Sequence, residues 1–188
     1  MTTATLEKIL KILRREIKKW KVPAVGVIAD EINNRPFGAL ISCVLSLRTK
    51  DAVTEPASRR LLSRAPTPQR LAQLETSEIE KMIYPVGFYR TKAKNIRDIC
   101  KILLEKYEGK VPATIEELLA LPGVGRKTAN LVLTVGHDKY GICVDTHVHR
   151  ITNLFGYIKT KTPEETEFAL RKKLPRRWWK GYNDILVT

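Results

Sequence analysis

Apolar residues recur at helical spacing along nearly the whole chain. Leu6, Ile9, Leu10, Leu13, Ile17 and Trp20 repeat every three or four positions with Lys and Arg between them. This predicts an amphipathic helix that Pro23 ends. Residues 25–35 read as a connector with one short helical turn around Ile28 and Ile32. Pro36 opens the next helix, and residues 37–47 are almost continuously apolar, the pattern of a helix buried on every side. Polar residues return abruptly at 46–51, where Asp51 or Thr49 is placed to cap a helix over 53–62. Thr67 before Pro68 marks another start, and Ser77 with Glu80 forms a capping box. The Tyr-Pro-Val-Gly-Phe run at 84–88 breaks the chain. Thr91 then begins a long amphipathic helix through Ile96, Ile99, Cys100, Ile102, Leu103 and Leu104 to Tyr107, with Gly109 as its stop.

A second capping box, Thr114 with Glu117, starts a short helix through Leu118 and Leu119. Pro122 breaks it, and Gly123 and Gly125 give the backbone freedom for a sharp hairpin. An apolar run from Arg126 makes the following helix. Residues 136–141 form a loop, 142–144 a short apolar entry, and Asp145 with Thr146 caps a helix from about His147. Thr162, Pro163 and Glu165 give a further start, and residues 178–186 read as a final helix with two adjacent tryptophans. No stretch alternates over several residues between turn signals, so no sheet is predicted and the fold class is all-α. There is no internal repeat.

Charge narrows the partner. The 188 residues carry 34 Lys and Arg against 20 Asp and Glu, a formal net charge of +14. That balance favours a polyanion. A membrane surface fits less well, because no helix sets its charge against a wide apolar face, and no spanning run or signal peptide is visible. Cys43, Cys100 and Cys143 are an odd, dispersed set in apolar contexts. They read as reduced, buried thiols of a non-secreted protein, cytoplasmic or nucleoid-associated in a prokaryote and nuclear or mitochondrial in a eukaryote. Their spacing gives no metal site.

The hairpin supplies the candidate chemistry. A tight turn feeding a helix start presents N–H groups at the positive end of a helix dipole, which suits a nucleic-acid phosphate. A plain αα-corner would share the same glycines. Lys127 adds a second possibility. In the first helical turn beside Arg126, added positive charge is disfavoured, which favours the neutral amine, a nucleophile able to form a Schiff base. A charged lysine on a phosphate is the alternative at this point.

Eighteen residues after Lys127 comes Asp145, in the run Val144, Asp145, Thr146, His147, Val148, His149, Arg150. Hairpin and run together resemble the endonuclease III family of helix-hairpin-helix DNA glycosylases with associated lyase activity. The likeness extends in order through residues 41–51, 84–89, 91–95 and 109–112. It implies two helical lobes with a DNA-binding cleft between them. A six-helix lobe would hold residues 27–139, with the helix-hairpin-helix at 114–135, and the second lobe would join residues 1–26 to 140–188. The family's nucleophilic lysine falls on Lys127 and its essential aspartate on Asp145, facing each other across that cleft. DNA contacts fall on Gly123, Val124, Gly125, Arg126 and Thr128, with His147 supporting the site. Arg48 stands where the family places a side chain that fills the gap left by a flipped nucleotide, often a glutamine; an ordinary surface charge is the other reading. His149 reads as packing or surface, and Trp178 and Trp179 as packing.

The implied function is base-excision repair of oxidised pyrimidines in duplex DNA by a monomeric glycosylase and AP lyase, with damaged or abasic double-stranded DNA as partner. A G:T or G:U mismatch glycosylase is the enzymatic alternative, although such relatives tend to carry tyrosine at the hairpin position. A non-catalytic helix-hairpin-helix module is the other alternative. Most members also hold a [4Fe–4S] cluster on four closely spaced cysteines, which do not occur before Thr188. The expectation is therefore no cofactor in this chain, through a shortened sequence or a cluster-free form, and no role for the three cysteines as iron ligands.

Overall fold

The computed structural model describes residues 1–19 and 24–187. Among these residues every regular element is helical. They form two compact units, Ala24–Asp138 and Met1–Pro23 with Lys139–Thr188.

The first unit is built around α3 (Arg35–Ser46), the third helix of the chain. Asn34 caps it by accepting the Phe37 N–H, Pro36 sits in its first turn, and Phe37 to Leu45 are all buried. The continuous apolar run dictates this, since a helix without a polar face must be covered on all sides. The covering is done by α2 (Ala24–Glu31), α4 (Asp51–Arg64) and α7 (Tyr89–Lys106), with the short α5 (Pro68–Ala72) and α6 (Thr76–Ile83) laid on α7. The supposed connector at 25–35 is thus mostly the helix α2, and Val25, Ile28 and Ala29 are buried. The α6 start also shifts: Glu78 accepts the backbone N–H of Glu75 at 2.8 Å, so the box lies two residues before the predicted one. α8 (Ile115–Leu119) follows, capped by Thr114, then α9 (Arg126–Leu131). α9 runs into a wider π turn, Val132–Gly136. Gly136 allows that turn to press on α3, for a Cβ there would fall 2.9 Å from the Cα of Pro36.

The second unit joins α1 (Thr3–Glu16) to α10 (Thr146–Leu154), α11 (Pro163–Lys173) and α12 (Tyr182–Val187). Leu6 and Leu10 are fully buried against Ile142, Val148, Tyr157, Leu170, Trp178 and Tyr182. Polar contacts hold the same surfaces in register. The terminal amine of Met1 donates to Gly156 O at 2.8 Å, and Trp178 Nε1 donates to Glu7 at 2.8 Å, with Arg177 paired to the same carboxylate. Trp20 and Pro23, assigned from sequence to the first helix and its end, lie outside the described residues. The predicted last helix is divided. Residues Arg176–Trp178 form a 3-10 turn after Pro175, and α12 begins only beyond Gly181. Among the described residues no helix is long and apolar enough to cross a membrane.

Candidate active site

The hairpin between α8 and α9 is a turn of uneven glycines. Gly123 has φ +75°, a conformation other residues adopt only under strain. Gly125 does not: as N-cap of α9 it is extended, with φ −96° and ψ 177°. Of the two glycines expected to give the turn its backbone freedom, only Gly123 uses a conformation strained for other residues. What Gly125 supplies is an open surface, since a Cβ there would meet nothing within 4 Å. Val124 is buried, and its amide is taken by Leu121 O at 3.2 Å. Thr128 is buried as well, while Gly123 and Gly125 are exposed and Arg126 is half-buried. Val124 and Thr128 thus present little side-chain surface to a ligand.

Lys127 occupies the second position of α9 and is exposed. Two neighbours hold its helix. Ala129 is fully buried, and Asn130 turns back to donate to Arg126 O at 3.0 Å. The lysine therefore projects from a short, anchored helical turn.

Asp145, in the other unit, is the N-cap of α10. One carboxylate oxygen, Oδ1, accepts the N–H groups of His147 at 3.0 Å and Val148 at 2.9 Å. The apolar entry Ile142 to Val144 is buried directly before it, so the carboxylate is fixed from both sides of the chain. His147 is exposed. His149 is tied inward, its Nδ1 2.7 Å from Thr166 Oγ1, within a network that includes Asn153 and Thr160. His149 thus braces α10 against α11.

A third feature lies where α3 ends. Arg48 is exposed and has φ +52°. Its guanidinium stands 5.8 Å from the centre of the Phe88 ring, and Phe88 is 64% exposed with φ +58°. Beneath this pair lies Lys92, only 5% exposed. Its Nζ donates to Leu45 O at 2.8 Å, Leu47 O at 2.5 Å and Thr49 Oγ1 at 3.2 Å. Burial pushes its pKa down from 10.5 to about 8. Thr49 also accepts the Gly87 N–H at 3.1 Å. Neither Thr49 nor Asp51 is the N-cap of α4, a position held by Lys50; the Thr49 hydroxyl is spent on Gly87 and Lys92. Phe88 and Lys92 lie in segments covered by the resemblance, but the sequence assigned neither a role. A signal existed, because Lys92 precedes Ile96, Ile99 and Leu103 on the apolar stripe of α7, where a cation is out of place.

The three cysteines are poorly suited as ligands for an iron–sulfur cluster. All are buried; Cys43 and Cys100 belong to the core of one unit and Cys143 lies in the other. Burial raises the Cys100 thiol to about 12, far from the thiolate a metal needs. Among the described residues no group of three or more His, Cys, Asp or Glu could hold a metal. These residues do not fit the cluster.

Residues 41–176 match the model of the HhH-GPD superfamily of base excision DNA repair proteins. Endonuclease III of Thermotoga maritima is 54% identical over 81% of this chain and 71% of its own length. The chloroplastic endonuclease III homolog 2 of Arabidopsis thaliana is 42% identical over 96% of this chain, which spans only 51% of that relative. A solved endonuclease III–DNA covalent intermediate superposes with a TM-score of 0.85 at 33% identity, covering 100% of this chain and 85% of the other.

These relatives overturn the expectation that the protein has no cofactor. Close endonuclease III homologues normally carry a [4Fe–4S] cluster. The mismatch with Cys43, Cys100 and Cys143 shows that these thiols are unsuited as its ligands, and says nothing about the cluster itself. With a superfamily match over most of its length and a relative at 54% identity, the chain belongs to the endonuclease III family of the HhH-GPD superfamily, helix-hairpin-helix DNA glycosylases with AP-lyase activity.

Proposed function

We propose that this protein excises oxidised pyrimidines from duplex DNA and cuts the strand at the resulting site, with Lys127 as the nucleophile. The observation that carries this reading is Lys127 itself: an exposed amine on the first turn after the hairpin, in a chain 54% identical to an endonuclease III. A helix-hairpin-helix that only gripped phosphate would have no need of a primary amine followed by the Asp145 run.

The chemistry follows from the residue types. The damaged nucleotide leaves the stack, because no side chain reaches a glycosidic bond inside the duplex. The neutral amine of Lys127 attacks the sugar C1′, and the C1′–N bond to the base breaks. Opening of the sugar ring leaves an iminium between C1′ and Nζ. The iminium acidifies C2′, a proton is lost there, and the C3′–O bond breaks by β-elimination. Asp145 stabilises positive charge developing on the sugar and relays protons. Its cap to His147 and Val148 fixes the carboxylate rotamer, so no reorganisation is needed during reaction. Arg48, with Phe88 beside it, fills the gap left by the extrahelical nucleotide; guanidinium and aromatic planes both stack on bases. The charge of +14 supplies attraction to phosphate, which salt will screen.

Borohydride reduction during turnover tests this assignment. Duplex DNA with a thymine glycol or an abasic site should be trapped on the protein, with the adduct on the peptide containing Lys127. Lys127→Gln should abolish trapping and keep most duplex affinity. An adduct on the N-terminal amine or on another lysine overturns the assignment.

A further inference from the structure

We infer that Lys92 is a positioning residue for base extrusion: it locks the Arg48 turn and the Phe88 turn into one rigid probe. This rests on the proposed function above and names the part of the fold that makes it work.

Arg48 and Phe88 come from segments forty residues apart, yet both hold left-handed backbone and stand 5.8 Å apart on the surface. Such backbone is strained for a non-glycine residue and persists only where the surroundings enforce it. Lys92 touches both sides. Its backbone N–H donates to Phe88 O at 3.0 Å. Its Nζ donates to Leu45 O, Leu47 O and Thr49 Oγ1, on either side of Arg48. All three ammonium protons thus have acceptors, and two of them are carbonyls at the end of α3, where no intrahelical donor remains. Gly87 completes the lock, because a Cβ there would fall 2.9 Å from Arg48 O.

A buried ammonium is costly unless it is fully paired. An apolar side chain in that place would pack on Ile96 without the cost. What the amine alone provides is a fixed spacing between the two turns. A wedge must keep that spacing while a duplex pushes back, and a displacement of an ångström is enough to cost about a hundredfold in rate.

The test uses Lys92→Met, which keeps the length of the side chain and removes the donors, and Thr49→Val as a milder cut of the same lock. Thermal melting first establishes that each variant folds. Each enzyme is then assayed on thymine glycol in fully paired duplex and on an abasic site in a single strand, where nothing need be unstacked. Lys92→Met should lose about ten- to a hundredfold on the paired lesion, with little change on the single-stranded site. 2-Aminopurine placed beside the lesion should lose the fluorescence rise that reports unstacking. Combined with Arg48→Ala and Phe88→Ala, Lys92→Met should cost little more, since the parts it positions are gone. Equal losses on both substrates, or full additivity, would show a merely structural lysine and overturn the inference. Absence of trapping by the wild-type protein on any substrate would instead overturn the glycosylase reading beneath it. Should Lys92→Met not fold, Thr49→Val decides by the same pattern at smaller size.

Discussion

A Cβ placed on Gly123 would lie 2.5 Å from Nδ2 of Asn95 and 3.4 Å from its Cγ, so the hairpin packs closely on the amide end of Asn95 in α7. Gly123 also has φ +75°, whereas Gly125 is extended and faces open space. The two glycines should therefore answer differently to the same change. Gly123→Ala should lower unfolding stability by about 1–3 kcal/mol through strain and overlap. Gly125→Ala should leave it within about 0.5 kcal/mol. If Gly125→Ala still weakens binding to duplexes of every sequence, the methyl group is obstructing phosphate and not the fold. Urea titrations of both variants, with duplex binding at fixed salt, give the comparison. Equal stability losses would show that the left-handed backbone at Gly123 is not what sets the turn.

Asp145 has two jobs that can be separated. Its Oδ1 caps α10 through His147 and Val148, and in the proposed mechanism its charge serves catalysis. Asn keeps an oxygen for the cap and loses the charge; Ala loses both. Asp145→Ala should cost about 1 kcal/mol of stability, and Asp145→Asn only a few tenths. Both should lower base excision by about a hundredfold or more. A loss of activity in the Ala variant alone would reduce Asp145 to a cap.

The helices were legible because local rules and burial agree. Phe37 to Leu45 is apolar without interruption and is buried without interruption. Thr67, Thr114, Asp145 and Thr162 each cap the helix that follows, as their side chains and spacing predict. The failures share a physical cause, which is competition from residues distant in sequence. Thr49 has the chemistry of a cap, yet Gly87 and Lys92 claim its hydroxyl from thirty-eight and forty-three residues away. The run 178–186 looked like one helix because Trp178, Tyr182 and Ile185 share a helical face. Gly181 nevertheless divides it, and Trp179 Nε1 turns back to Leu174 O at 2.9 Å. Lys127 and Asp145 are candidates that a sequence motif marks. Lys92 lies within the 91–95 segment of the resemblance, but no role attaches to it there, and only the contacts of its buried amine show what it holds.

The buried amine gives a pH dependence of known sign. Burial lowers the pKa of Lys92 from 10.5 to about 8 in the folded protein, while the unfolded chain keeps the ordinary value. Below about pH 8 both states carry the proton, so the cost of burying the charge is present in full and does not vary. Between about pH 8 and 10.5 the folded state has released the proton and the unfolded state has not. The unfolded state then binds more protons, and the contribution of Lys92 to stability rises with pH. Above that window the contribution is level again. Other groups titrate in the same range, so the quantity to follow is the stability of the wild type minus that of Lys92→Met. Urea unfolding of both at pH 7, 9 and 10 should show this difference increasing in favour of the wild type. A difference that stays flat would mean that the carbonyls of Leu45 and Leu47 hold the ammonium charged against its burial, and a falling one would mean that they raise its pKa above the ordinary value.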